Sequence, residues 1–192
     1  MVFRGGIPSL DLPFSRFAVF PFRYVVFSNK EKNMQEVTIN KQARLSEHFT
    51  LGELCKTNAK TADGNIPSHV HIENLRRLCG WLEMLRDEWN RRYGEGDDPI
   101  IINSGYRSEA VNQAIGGAKG SNHLTGCAAD IRVAGMEQAL RYAVILLDIS
   151  DESREDFDEL LLERSPRGTY WLHFAVRPPS QENRRKIRFI QT

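Results

Sequence analysis

From residue 72 onward, apolar side chains recur at steps of three and four: Ile72, Leu75, Leu78, Cys79, Leu82, Leu85 and Trp89. That period predicts a long helix burying one side. Glycine and proline in "RRYGEGDDP" stop it. Upstream, "SEHFTLGELC" offers Ser46 or Thr50 as an N-cap, and Glu53, three residues after Thr50, completes a capping box. The turn-rich "KTADGNIPS" separates the two helices. His69 and His71 open the longer one, but a spacing of two places them on different sides, which argues against a shared metal site.

Beyond the long helix the period changes. "IIIN" is a short buried strand, "SGYRSEAVNQAIG" a turn into a short helix, and "GAKGSNHLTG" a glycine-rich loop. In "CAADIRV" the residues alternate: Cys127, Ala129, Ile131 and Val133 point one way, and Ala128, Asp130 and Arg132 the other. "GMEQALRYAVILLD" is helical. "FDELLLE" and "YWLHFAV" have strand character and are joined by the turn "RSPRGT". In the latter strand Leu172, Phe174 and Val176 face inward, while Trp171, His173 and Ala175 share the opposite face. Helices first and hairpin strands later predict an α+β fold, with N-terminal helices packed on a small antiparallel sheet.

A length of 192 residues suits one domain with an extension. Residues 1–40 do not match the rest and are expected to lie outside the fold, leaving 41–192 as the domain. "FSRFAVFPFRYVVF" is interrupted by Arg16, Pro21 and Arg23, so it neither spans a bilayer nor forms a standard secretory signal. Met34 resembles a natural start, which makes residues 1–33 an expected upstream extension. The formal net charge of +1 provides no broad basic face for nucleic acid. Arg184, Arg185, Lys186 and Arg188 are expected to be a short solvated run. Three widely spaced cysteines, Cys55, Cys79 and Cys127, form no C-x-x-C pair and no disulfide framework. Cys79 and Cys127 are expected to be small buried hydrophobes.

Two strands thus each present one ligand-type residue, Asp130 and His173, opposite their apolar rows, and His123 lies in the loop feeding the first strand. If those strands are neighbours, the three converge. Two imidazoles and a carboxylate suit a catalytic zinc site with its fourth position open. Gly126, Ala128 and Ala129 would leave room for the chain to fold back. The residues alone leave open that His173 is simply packed and that Asp130 pairs with Arg132 at the surface.

"SNHLTGCAAD" resembles the S-x-H-x-x-G-x-A-x-D signature of the zinc D-Ala-D-Ala carboxypeptidases and dipeptidases, metallopeptidase family fifteen of clan MD. It is also similar to the zinc segment of Hedgehog signalling domains. "SGYRS" resembles the family's S-G-[YF]-R-S segment, and "FDELLLE…YWLHFAV" its closing hairpin ending in W-x-H. The resemblance runs from about Leu45 to Val176 and is nearest the small phage and bacterial branch. It implies one Zn2+ held by His123, Asp130 and His173, with Arg107 binding a substrate carboxylate or polarising its carbonyl. A planar guanidinium suits that task. Ser121 is a weaker substrate contact that could instead cap the loop. The dipeptidases place their catalytic glutamate where this chain has Tyr170. The Hedgehog-like arrangement points to Glu163, with Glu159 in reserve.

The resemblance implies a monomeric zinc peptidase cutting peptidoglycan stem peptides, either as a D-Ala-D-Ala carboxypeptidase or as an endolysin-like murein endopeptidase. Its substrate lies outside the bacterial membrane, although no export signal is visible. The alternative is a non-catalytic zinc module that binds cell wall or belongs to a phage particle.

Overall fold

In the computed structural model, which describes residues 40–94 and 96–191, the elements follow the expected order with one addition. The extension over residues 1–40 and the start near Met34 concern residues outside that range, apart from Asn40. Thr50 caps helix α1 (Leu51–Leu54): its side chain accepts from the Glu53 amide, and the Glu53 carboxylate accepts from the Thr50 amide at 2.8 Å. Helix α2 (His69–Arg92) starts from a Ser68 cap and buries the predicted stripe, with Leu75, Leu78, Cys79, Leu82 and Leu85 wholly enclosed. Arg91 and Arg92 occupy its last turn, where cations complement the helix dipole.

Strand β1 (Ile102–Ser104) covers only the second half of the expected apolar run, and its register against the next strand shifts between Ile102 and Ser104. Then come helix α3 (Glu109–Ala114), a 3-10 turn (Asn122–Thr125), strand β2 (Ala128–Arg132) and helix α4 (Met136–Ser153). Strands β3 (Glu159–Arg164), β4 (Tyr170–Ala175) and β5 (Lys186–Gln191) complete the chain. No helix among the described residues is long and apolar enough to cross a membrane. All three cysteines are buried thiols.

The sheet order is β1-β2-β4-β3-β5. Four strands are antiparallel, as expected, but β5 runs parallel to β3. The sheet is therefore mixed. The chain leaving β4 crosses β3 to reach the far edge, and a strand that returns antiparallel to β4 is necessarily parallel to β3. The expected solvated run is likewise corrected. Arg184 bonds to Asp158, Arg185 to Asp151 and Asp156, and Lys186 to Glu159. The alternation of these charges with Ile187 and Phe189 was the strand signal within the run.

Helices α2 and α4 cover one face of the sheet. Trp81 and Phe157 pack on Phe174 with ring centroids 5.4 and 5.7 Å away, and Trp89 meets Tyr142 edge-on at 4.9 Å. Ile131, Leu160, Leu172 and Phe174 supply the sheet's share of that core, each contributing roughly 1.5–3 kcal/mol by burial. The opposite face forms three rows read across β2, β4, β3 and β5. Asp130, His173, Leu161 and Arg188 form the middle row. Arg132, Trp171, Glu163 and Ile190 lie on one side of it, and Ala128, Ala175, Glu159 and Lys186 on the other.

Asp158, fully buried just before β3, ties this face together. Arg184 donates to both its oxygens at 2.8 and 2.6 Å, Asn122 donates at 2.7 Å, and Arg177 Nε stands 2.9 Å away. Burial opposes its charge, but the bonds from Arg184 and Asn122 and the nearby arginines outweigh it and hold the carboxyl below its ordinary range. Such a depressed carboxylate stabilises the fold above its unfolded pKa of about 4, and that contribution is lost as pH falls through the lower folded value. Asp158→Asn is expected to cost about 3 kcal/mol, the low end for breaking a buried pair because both arginines keep access to water. Scanning calorimetry at pH 7 should show a Tm lower by roughly 6–12 °C. The deficit should shrink as the wild type is taken below pH 4.

Candidate metal centre

His123, Asp130 and His173 converge because three separate local structures aim them at one point. Strand pairing sets Asp130 directly opposite His173 on the face away from the core. His123 reaches them from the 3-10 turn, whose Ser121 cap accepts from the His123 amide. The turn ends at Gly126, with φ of +72°, and a Cβ there would meet the His71 carbonyl oxygen at 2.6 Å. Only glycine satisfies both the left-handed backbone and the close approach to α2. One turn further along α2, Asn74 donates to the Thr125 carbonyl at 2.8 Å and pins the turn to the same helix.

Gly105 performs a similar service. A Cβ there would lie 2.3 Å from the Leu54 carbonyl oxygen, so the "SGYR" turn lies flat against the end of α1. In that position the Gly105 carbonyl oxygen stands 2.6 Å from His123 Nδ1. A carbonyl only accepts, so Nδ1 carries the proton and Nε2 presents a lone pair.

The three ligand atoms form a nearly regular triangle. His123 Nε2 lies 3.2 Å from Asp130 Oδ1 and 3.3 Å from His173 Nδ1, and the third edge is 2.9 Å. A tetrahedral ion with bonds of about 2.0–2.1 Å has ligand–ligand edges of roughly 3.3 Å. Among the described residues this is the one cluster of three metal-type side chains, and all three are buried. The electrostatics point the same way. One proton between His173 and Asp130 satisfies that edge but leaves His123 Nε2 facing carboxylate oxygen, lone pair to lone pair. A divalent cation satisfies all three.

The protonation tendencies reflect this crowding. Burial pushes the His123 imidazole down, so it is neutral and ready to bind. Burial also opposes the His173 charge, yet the Asp130 and Glu159 carboxylates outweigh it and raise its pKa to about 9. Burial likewise opposes the Asp130 charge, but the two histidines hold it well below the usual carboxylate range.

Arg107 sits against the cluster. Its Nη2 is 2.5 Å from Asp130 Oδ2, the oxygen turned away from the imidazoles, and its Nε donates to Ser104 at 2.8 Å. Glu163 lies on the same sheet face, one row along from His173. Burial raises its pKa, and it feels the charges of His173, Asp130 and Arg107. Glu159, on the other side of His173, is held by Lys186, Arg184 and Asn122. His69 and His71 take no part: His69 approaches Glu73, and His71 stacks on Tyr106.

Sequence reasoning missed Asn122, Ser104, Arg184 and Lys186. Asn122 stands inside the SNH stretch, but it occupies a variable position of the signature. Ser104 opens the SGYRS segment three residues before Arg107, whereas Arg184 and Lys186 are connected to the site only by tertiary structure.

A sequence model of the Peptidase M15 family matches residues 47–151. That span holds Arg107, Ser121, His123 and Asp130 and stops before Glu159, Glu163 and His173. The chain is also 32% identical over 84 residues to the zinc D-Ala-D-Ala carboxypeptidase of Streptomyces albus G. That alignment covers 44% of this chain and 31% of the relative, so under a third of the relative's length is represented. With more than half of its residues matched by the family and with an α+β fold, the chain belongs to the Peptidase M15 family.

Proposed function

We propose that this chain is a zinc-dependent peptidase that hydrolyses peptide bonds in bacterial peptidoglycan stem peptides. The observation that carries this reading is the near-regular triangle of His123, Asp130 and His173, with a burial-raised carboxyl, Glu163, beside it. The match to a zinc D-Ala-D-Ala carboxypeptidase supports the substrate class. Such a substrate places the site of action at the cell wall, outside the bacterial membrane.

Bound zinc would lower the pKa of a water from 15.7 to about 7 and polarise the scissile carbonyl. Glu163 accepts the proton that the attacking water gives up as its oxygen bonds to the carbonyl carbon. It then returns that proton to the amine as the C–N bond breaks. A carboxyl raised by partial burial suits both halves of that exchange. Glu159 is less suited to the role, since its oxygens already accept from Asn122 and Lys186. Arg107 has Nε and Nη2 engaged, so Nη1 is its donor toward the substrate's carboxylate or carbonyl. Ser121, whose hydroxyl caps the turn that carries His123, is the lesser substrate contact in this reading.

Zymography on purified cell wall and mass analysis of defined stem peptides test the reading. The full chain loaded with zinc is expected to release products, and a chelator to abolish them. A chain that binds one zinc ion yet leaves every stem peptide intact would instead be a non-catalytic cell-wall module. Glu163→Gln should lower kcat by about 10²–10⁴ while zinc remains bound at one ion per chain. Full activity in Glu163→Gln would remove it as the base. His123→Ala and Asp130→Ala should lose zinc binding by elemental analysis after dialysis. Arg107→Ala should raise KM for peptides with a free C-terminal carboxylate more than for their amides.

A further inference from the structure

We infer that Glu159 is the positioning residue of His173, and that strand β5, through Lys186, completes the metal site. This inference rests on the reading that His123, Asp130 and His173 hold the ion. Its central residues, Glu159, His173 and Lys186, lie beyond the family match.

His173 can offer a metal only one ring nitrogen at a time. Its Nδ1 faces Asp130 and His123 at 2.9 and 3.3 Å, so Nε2 must carry the proton. That Nε2 is buried and completes no hydrogen bond, and the nearest carboxylate oxygen is Glu159 Oε2 at 3.4 Å. A carboxylate behind a ligating imidazole fixes the tautomer, steadies the ring and raises the basicity of the nitrogen that binds. Glu159 is the group placed to do so, since the strand pairing sets it beside His173 on the same sheet face.

What holds Glu159 there comes from two distant segments. Asn122, one residue before His123, donates to Oε2 at 3.0 Å and so ties the first metal ligand's turn to the last ligand's partner. Lys186 of β5 donates to Oε1 at 2.7 Å, and Arg184 Nη2 stands 3.1 Å from the same oxygen. These donors on its oxygens hold the carboxylate in place beside Nε2. Lys186 sits next to Glu159 because β5 pairs with β3 in parallel register. The C-terminal strand therefore contributes a charge that no antiparallel hairpin alone would supply.

The test measures zinc affinity of the full chain by competition with a chromophoric chelator, beside its thermal stability and 1H–15N spectra of the histidine side chains. Glu159→Gln, which keeps the shape, is expected to weaken zinc binding about 10–100-fold. It should also lose the slowly exchanging Nε2–H signal of His173. Lys186→Ala should weaken zinc about tenfold, and Lys186→Arg should restore most of it. If Lys186→Ala does not fold, Asn122→Ala gives the same reading from the opposite side of the carboxylate. Wild-type zinc affinity in a folded Glu159→Gln chain overturns the inference. So does lost turnover with unchanged zinc affinity, which would make Glu159 the base instead. A wild-type chain that binds no zinc removes the metal-site reading itself and this inference with it.

Discussion

A buried cluster of two imidazole lone pairs and a carboxylate oxygen, each within 2.9 to 3.3 Å of the next, needs a positive centre. Much of the surrounding structure follows from that need. The Gly105 carbonyl fixes which nitrogen of His123 is bare, and Glu159 stands behind the proton-bearing nitrogen of His173. Arg107 takes the oxygen of Asp130 that the cluster does not use. Each of the three side chains is thus flanked by one group that orients it, an arrangement that suits a site able to hold a metal ion.

The sheet gives the cluster its rigidity by dividing its two faces between stability and chemistry. The face under α2 and α4 is filled by Ile131, Leu160, Leu172 and Phe174. With the strands anchored there, the opposite face can carry charges in fixed rows. Asp130 and His173 are partners in the same ladder, so their separation is set by the backbone and not by flexible side chains. Only His123 comes from outside the sheet, and the turn that bears it is clamped by Gly126 against α2 and by Asn74.

The two glutamates of β3 show how environment separates like residues. Both share the face of His173, four residues apart on one strand. Glu159 lies beside His173 and Lys186, and these outweigh its burial and hold its carboxyl well below its ordinary range. Glu163 meets Trp171 across the ladder, and burial drives its pKa the other way. Identical side chains are thereby given opposite protonation tendencies by their surroundings.

Periodicity determined much of this protein without any structure. The stripe from Ile72 to Trp89 dictated α2, the Thr50–Glu53 box dictated the start of α1, and the alternation of "CAADIRV" and "YWLHFAV" put Asp130 and His173 on the faces that avoid the core. These signals are local, because side-chain direction repeats with the backbone's own period. The parallel β5 was hidden within a run of charges, since Arg184, Arg185 and Lys186 resemble a solvated surface until their carboxylate partners are in place. Which strand neighbours which, and hence whether His123, Asp130 and His173 meet, was decided only by tertiary structure. Pairing joins residues far apart in the chain, and no local pattern encodes that distance.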